Sequence, residues 1–165
     1  MVDNEPPFAL VDPDLARAAA ICLFEKIETE LRGRLPRRAD IRHIGATAVP
    51  GCLTKGDLDI VVRVPTADFE AADAALAAHF GRNTGSIRTE SFSAFEDGLL
   101  DPHLGIQLTT IGGAHDYFHL FVDALLASPA LVTKYNALKQ QFDGVEMAAY
   151  RRAKDAFVER VIWSG

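Results

Sequence analysis

The chain has 165 residues and a mass of 18.0 kDa, the size of one domain with room for a substantial core. Its 48% hydrophobic and 24% charged residues are ordinary for a globular protein, and a formal charge of −6 with a pI near 5.3 argues against non-specific nucleic-acid binding, which depends on Lys and Arg neutralising phosphates. Cys22 and Cys52 are too few for a disulfide framework or a cysteine zinc site and read as reduced thiols of a cytoplasmic protein; no apolar run approaches a membrane span, and the acidic start, Met1 to Pro7, lacks a signal-peptide pattern.

Residues 1 to 11, with Pro6-Pro7, read as an extended or poorly ordered lead-in to a single domain covering 1–165. Asp12-Pro13-Asp14 has the form of a helix start, an Asp cap followed by Pro at the first helical position. Leu15, Ala19, Leu23, Ile27 and Leu31 recur every four residues, which predicts one buried apolar face, with Cys22 as a small core residue. Gly33 and Pro36 end the helix. The arginines there, Arg32, Arg34, Arg37 and Arg38, read either as a solvated helix end whose cations suit the dipole or as a reach toward an anionic ligand.

A strand over Ile41 to Gly45, a turn rich in Gly and Thr, and a second strand from Leu58 to Val64 come next. Pro65-Thr66 introduces a helix over about 67 to 80, packed on the sheet through Phe69, Leu76 and Phe80. Asn83 to Gly85 form a turn, Ser86 to Phe95 a strand, and Asp97-Gly98 a turn before a strand from Gly105 to Ile111. Beyond Gly112-Gly113 the pattern is helical: roughly 115 to 127, then Ser128-Pro129 to Phe142, then Val145 to Trp163. The sum is an α/β (α+β) domain with a mixed, twisted sheet of four or five strands flanked by helices and a helical C-terminal part.

The chemistry concentrates between the first two strands. Asp57 and Asp59 sit at i and i+2, so on a strand both carboxylates project from one face while Leu58, Ile60 and Val62 point the other way. Adjacent carboxylates repel unless a cation or a divalent metal joins them, and Mg²⁺ is commonly held by one or two carboxylates plus substrate phosphates. The alternative is a pair of surface charges salt-bridged to Lys55 or Arg63. Upstream, Gly45 and Ala46 at a sharp turn let backbone approach a phosphate, Thr47 adds a hydroxyl, Lys55 a point charge and His43 a donor or a structural ring. His115 and His119, with Asp116 between them, have the i, i+4 spacing of a helical metal site but no evident third ligand. His103 is a turn residue that its neighbouring strand would bring to the cleft, and Lys154, four residues after Tyr150, is either a surface lysine or a cleft contact. No serine lies in a nucleophile elbow.

Ile44-Gly45-Ala46, ten residues, then Asp57-Leu58-Asp59-Ile60 resembles the nucleotidyltransferase-fold signature. More narrowly, His43-Ile44-Gly45-Ala46-Thr47-Ala48-Val49-Pro50-Gly51-Cys52 resembles a stretch of the GrpB family (UPF0157). Phe121-Val122-Asp123-Ala124-Leu125, Pro129, Tyr135, Ala137-Leu138-Lys139, Tyr150, Lys154 and Phe157 follow that family's later landmarks in order. The resemblance implies a Mg²⁺-dependent nucleotidyltransferase that moves a nucleotidyl group from an NTP to a small-molecule or protein acceptor. Asp57 and Asp59 would be its catalytic metal ligands, and Gly45, Ala46, Thr47, His43, Lys55 and Lys154 would bind the nucleotide. Two positions depart from the pattern: Ala46 stands where a serine is usual, and Gln107 is the central polar residue of the strand expected to carry a third carboxylate. A neutral amide cannot act as a base. The departure leaves a second expectation, a catalytically silent nucleotide- or metabolite-binding module, and the family's fusions to dephospho-coenzyme A kinases connect that alternative with coenzyme A metabolism.

Overall fold

Hydrophobic alternation along the strands and the faces of the helices resolve into a sheet covered on both sides. The computed structural model describes residues 5–163; the first four residues of the expected lead-in lie outside them. In chain order it comprises α1 (Pro13–Arg32), β1 (Asp40–Ile44), β2 (Leu58–Val64), α2 (Phe69–Ala77), β3 (Gly81–Arg82), β4 (Phe92–Asp97), β5 (Leu104–Thr110), α3 (Phe118–Ala127), α4 (Pro129–Phe142) and α5 (Met147–Trp163). Among the described residues the five strands run in the order β1-β2-β5-β4-β3, with only the β2–β5 pair parallel. The expected mixed sheet and helical C-terminal part are both present.

β2 is the central organiser. Leu58, Ile60, Val62 and Val64 point to one face with Ile41, Leu104, Ile106 and Leu108, where α1 and α2 cover them. Val61 points to the other face, into a second core with Ile44, Phe121, Val122, Leu125, Tyr135 and Phe157. Fully burying such side chains stabilises by about 1.5–3 kcal/mol each. Only Asp59 and Arg63 interrupt the burial of β2, and both lie on the second face, on either side of Val61.

Asp12 caps α1, its carboxylate accepting from the Asp14 and Leu15 amides, with Pro13 at the first helical position. The expected apolar stripe is corrected: Leu15 and Ala19 are exposed, and the buried residues are Ala20, Ile27 and Leu31, with Leu23 and Phe24 packed beside them. A strict four-residue spacing drifts by about 40° per step against the 3.6-residue turn, so Leu15 ends far round the helix from Leu31. Cys22, expected in the core, is exposed because it lies on the far side of the helix from Ala20 and Ile27 at about 100° per residue.

Three boundaries also differ. The strand expected from Ser86 begins only at Phe92, because side chains fold the preceding loop on itself: Asn83 Oδ1 accepts from the Gly85 amide at 3.0 Å and Thr89 Oγ1 from the Ser91 amide at 3.1 Å. The helix expected to Phe80 stops at Ala77, and the chain turns so that Gly81–Arg82 pairs with β4 and Arg82 grips Asp73 through two bonds of 2.7 and 3.0 Å. The helix expected from residue 115 starts at Phe118. Ser128 caps α4 as expected, its hydroxyl accepting from Leu131 N–H.

Residues 5–11 of the lead-in have no regular structure but are fastened along the C-terminal helices. Phe8 is 1% exposed, stacks on Tyr150 with ring centroids 3.8 Å apart, donates its amide to Val145 O and accepts from Gly144 N–H. Glu5 and Arg151 pair through two contacts of 2.6 and 2.8 Å.

Candidate functional site

Where β1 ends, Ile44 lies opposite Asp59 in the antiparallel ladder. The chain then turns at Gly45 with φ +77°, a conformation L side chains rarely adopt. A Cβ at Gly45 would sit 2.8 Å from Asp59 Oδ2, so glycine is required both by the backbone and by the carboxylate it passes. The following short turn, Ala46–Ala48, buries Thr47 to 1% exposure. The Thr47 hydroxyl donates to the Asp57 carbonyl at 3.0 Å and lies 2.9 Å from His43 Nε2, which therefore carries the proton it donates to Thr47.

His43 and Thr47 thus hold the Asp57 backbone rather than facing the cleft. His43 pairs with Ile60 in the ladder and so lies on the α1 face, its ring against Phe24. Burial, with a smaller contribution from Arg17, pushes its pKa down to about 4 and keeps the ring neutral. The nucleotide contact expected of His43 is corrected: the odd–even alternation of β1 sends it through the sheet, away from Asp59.

Asp57 and Asp59 open side by side into a cleft of about 650 Å³, which Lys55, Lys154, His103, Glu96, Gly105 and Gln107 also line. The Lys55 ammonium is 3.0 Å from Asp57 Oδ2. Asp59 has no such bonded cation among the described residues; burial raises its pKa, and the Lys154 charge from α5 opposes that rise more strongly than any other group, while Asp57 adds to it. Lys154 is therefore turned toward the cleft. His103 is there as well, its Nδ1 3.9 Å from Asp57 Oδ2 and its Nε2 3.6 Å from Glu96 Oε2.

The parallel pairing of β2 with β5 puts Gly105, not Gln107, opposite Asp59, and β4 puts Glu96 opposite Gly105. A Cβ at Gly105 would meet Asp59 Oδ1 at 3.0 Å. Gln107 lies in the next row on the same face, between Val61 and Ala94. Among the described residues no three His, Cys, Asp or Glu side chains gather as a metal site. Two carboxylates completed by substrate phosphates is how Mg²⁺ is commonly held, and Asp57 beside the desolvated Asp59 fits that ion.

Lys139 is a part of the site that the pattern of residue types did not reveal. Only 1% exposed, it donates to the Leu53 carbonyl, lies 3.5 Å from Cys52 Sγ and sits over the Tyr135 ring at 4.0 Å. Burial lowers its pKa to about 8. With Ala46, Thr54, Tyr150 and Lys154 it borders a cavity of about 40 Å³ beside Asp57 and Asp59. The available signal was a lysine four residues after Tyr135, on the buried stripe of an amphipathic helix.

The competing candidates fall away. Asp116 is bonded to Arg63 at 2.5 and 2.8 Å and to the Gly112 amide at 2.9 Å, and it precedes α3, so His115, Asp116 and His119 share no helical face. The arginine cluster is exposed, with Arg32 on Glu28 and Arg38 on Asp68. No helix among the described residues is long and apolar enough to cross a membrane.

The chain is similar to several known proteins. A family model described as GrpB protein matches residues 16–163. A UPF0157 protein of Vibrio cholerae serotype O1 is 35% identical over 150 residues, covering 90% of this chain and 79% of the relative. The crystal structure of the conserved protein GrpB from Enterococcus faecalis matches with a TM-score of 0.70 at 21% identity, over 94% of each chain. A Cid1 poly(U) polymerase bound to MgATP matches with a TM-score of 0.51 at 14% identity over 79% of this chain, which spans 41% of that polymerase. The last likeness is one of fold alone.

Proposed function

The chain belongs to the GrpB family and has a nucleotidyltransferase-like fold, and from that premise we propose that it transfers a nucleotidyl group from an NTP to a small-molecule or protein acceptor with Mg²⁺. The observation that carries the reading is the pair Asp57 and Asp59, set side by side at a cleft, with Asp59 desolvated and lacking a bonded cation among the described residues. A fold gains no stability from Asp59 in this setting, since desolvating a carboxylate that has no bonded cation is a cost.

In this reading the chain's own groups divide the work. Gly45 gives the room in which Asp59 stands, and the His43–Thr47 relay fixes Asp57 through its carbonyl. Lys154 and Lys55 supply positive charge to the phosphates, and the buried Lys139 holds the loop from which Lys55 and Asp57 project. Mg²⁺, held by Asp57 and Asp59, would supply charge neutralisation at the reacting phosphate and lower the acceptor's pKa. The acceptor's oxygen or nitrogen would form a bond to the α-phosphorus as the bond to pyrophosphate breaks, with the acceptor's proton, where it carries one, released to water.

The second reading, a nucleotide- or metabolite-binding module without turnover, is favoured by Gly105 standing in Asp59's row and by the neutral Gln107 beside it. Incubation of α-labelled NTPs with hydroxyl, amine and phosphate acceptors separates the two. The enzyme releases pyrophosphate and labels an acceptor; nucleotide affinity with no pyrophosphate release across the panel leaves the module.

A further inference from the structure

Behind Asp59 the cleft continues into a chamber of about 190 Å³ under α3 and α5. It shares Asp59, Gln107 and Lys154 with the open cleft, so the two spaces communicate at the carboxylate. The chamber's walls are largely apolar and aromatic: Phe118, Phe121 and Val158, with Tyr117 stacked on Phe118 at 4.6 Å between centroids and 20° between planes, and with the Asp155 carboxylate at the edge beside Tyr117. Its volume is below the roughly 300–1,000 Å³ of sites for drug-sized ligands, which suits one flat ring system better than a whole nucleotide.

Gln107 supplies a neutral polar group among the charged Asp59, Lys154 and Asp155. Its side chain faces both spaces, and its amide has no hydrogen-bond partner among the described residues. An amide offers two donors and an acceptor in one plane, the complement of the edge of a nucleobase, and aromatic walls suit a base's flat face. We propose that this chamber is the nucleobase subsite of the NTP, with Gln107 reading the base edge and Tyr117 packing on the ring. The inference rests on the nucleotide reading of the cleft. It gives Gln107 a positive function: at this position a carboxylate would add a further negative charge beside Asp59, whereas the neutral amide recognises the base.

The test compares Mg²⁺ complexes of ATP, GTP, CTP, UTP and inorganic tripolyphosphate by calorimetry. The wild type is expected to bind at least one nucleotide about 10-fold more tightly than tripolyphosphate. Gln107→Ala and Tyr117→Ala should each remove most of that difference and leave tripolyphosphate affinity unchanged, and Gln107→Ala should also level the ranking of the four bases. Val158→Phe, which fills the chamber without removing a polar group, should do the same, and unchanged tripolyphosphate binding certifies that each variant is folded. Equal affinity for nucleotides and tripolyphosphate in the wild type overturns the subsite while leaving the phosphate and metal reading intact. Equal loss of both ligands in the variants overturns it too. Failure of the wild type to bind either ligand removes the subsite together with the proposed function.

Discussion

β2 carries charge at both ends of one face, and the two ends are built in opposite ways. At the far end Arg63, its side chain 13% exposed, bonds both oxygens of Asp116 and one of Asp40, while Arg42 shares Asp40 at 2.9 Å. Hydrogen bonding raises the Arg63 pKa and lowers that of Asp116, so each partner stabilises the other's charge. At the near end Asp57 and Asp59 stand together, Asp57 with Lys55 and Asp59 with a pKa raised by burial. A closed network of this kind is structural. At the near end Asp59 has no bonded cation among the described residues, and in the proposed function the ligand's metal takes that place.

Removing a residue from each end breaks the comparison most directly. Arg63→Ala strands Asp116 and Asp40, and a loss of about 3 kcal/mol in urea unfolding is expected. Asp59→Asn should raise the urea midpoint at neutral pH instead. The sign follows from its raised folded-state pKa: the folded protein holds this proton to higher pH than the unfolded chain, so its contribution falls as pH rises above the ordinary 3.8. A lower midpoint for Asp59→Asn would make the near end structural as well.

Gly45→Ala comes next in size. The positive φ and the 2.8 Å approach to Asp59 together predict a destabilisation of roughly 1–3 kcal/mol and a displaced carboxylate. Nucleotide affinity should fall with stability, whereas Arg63→Ala at a temperature where it stays folded should retain affinity. The smallest effect belongs to His43. Its folded pKa of about 4 lies below the ordinary 6.5, so its contribution is complete above 6.5 and is lost as pH falls toward 4. With allowance for partial exposure this is on the order of 1 kcal/mol, seen as a flatter stability–pH curve in His43→Gln over that window.

The parts legible in the sequence were those fixed by local rules. Strand alternation put Asp57 and Asp59 on one face, and the glycine before them marked the turn. The same alternation, carried back into β1, sends His43 to the other face, but the turn between the strands hides the phase that relates the two. The α1 stripe failed at Leu15 because a four-residue repeat is not the helical period. Gly105 and Glu96 reach the site through the register of β5 against β2 and β4, which no local pattern encodes, whereas His103 stands at the cleft where its place beside the later strand had put it. Lys139 stood in the sequence only as a landmark of the family resemblance, and it is the packing of α4 that buries it.

Calorimetry of an NTP with and without Mg²⁺, on the wild type and on Asp57→Asn/Asp59→Asn, tests the central claim most directly. The account predicts Mg²⁺-dependent binding in the wild type and at least a 100-fold loss, on the order of 3 kcal/mol, in the double variant with its fold retained. Equal binding by both proteins, or no binding by either, would contradict it and make the paired aspartates a feature of the scaffold.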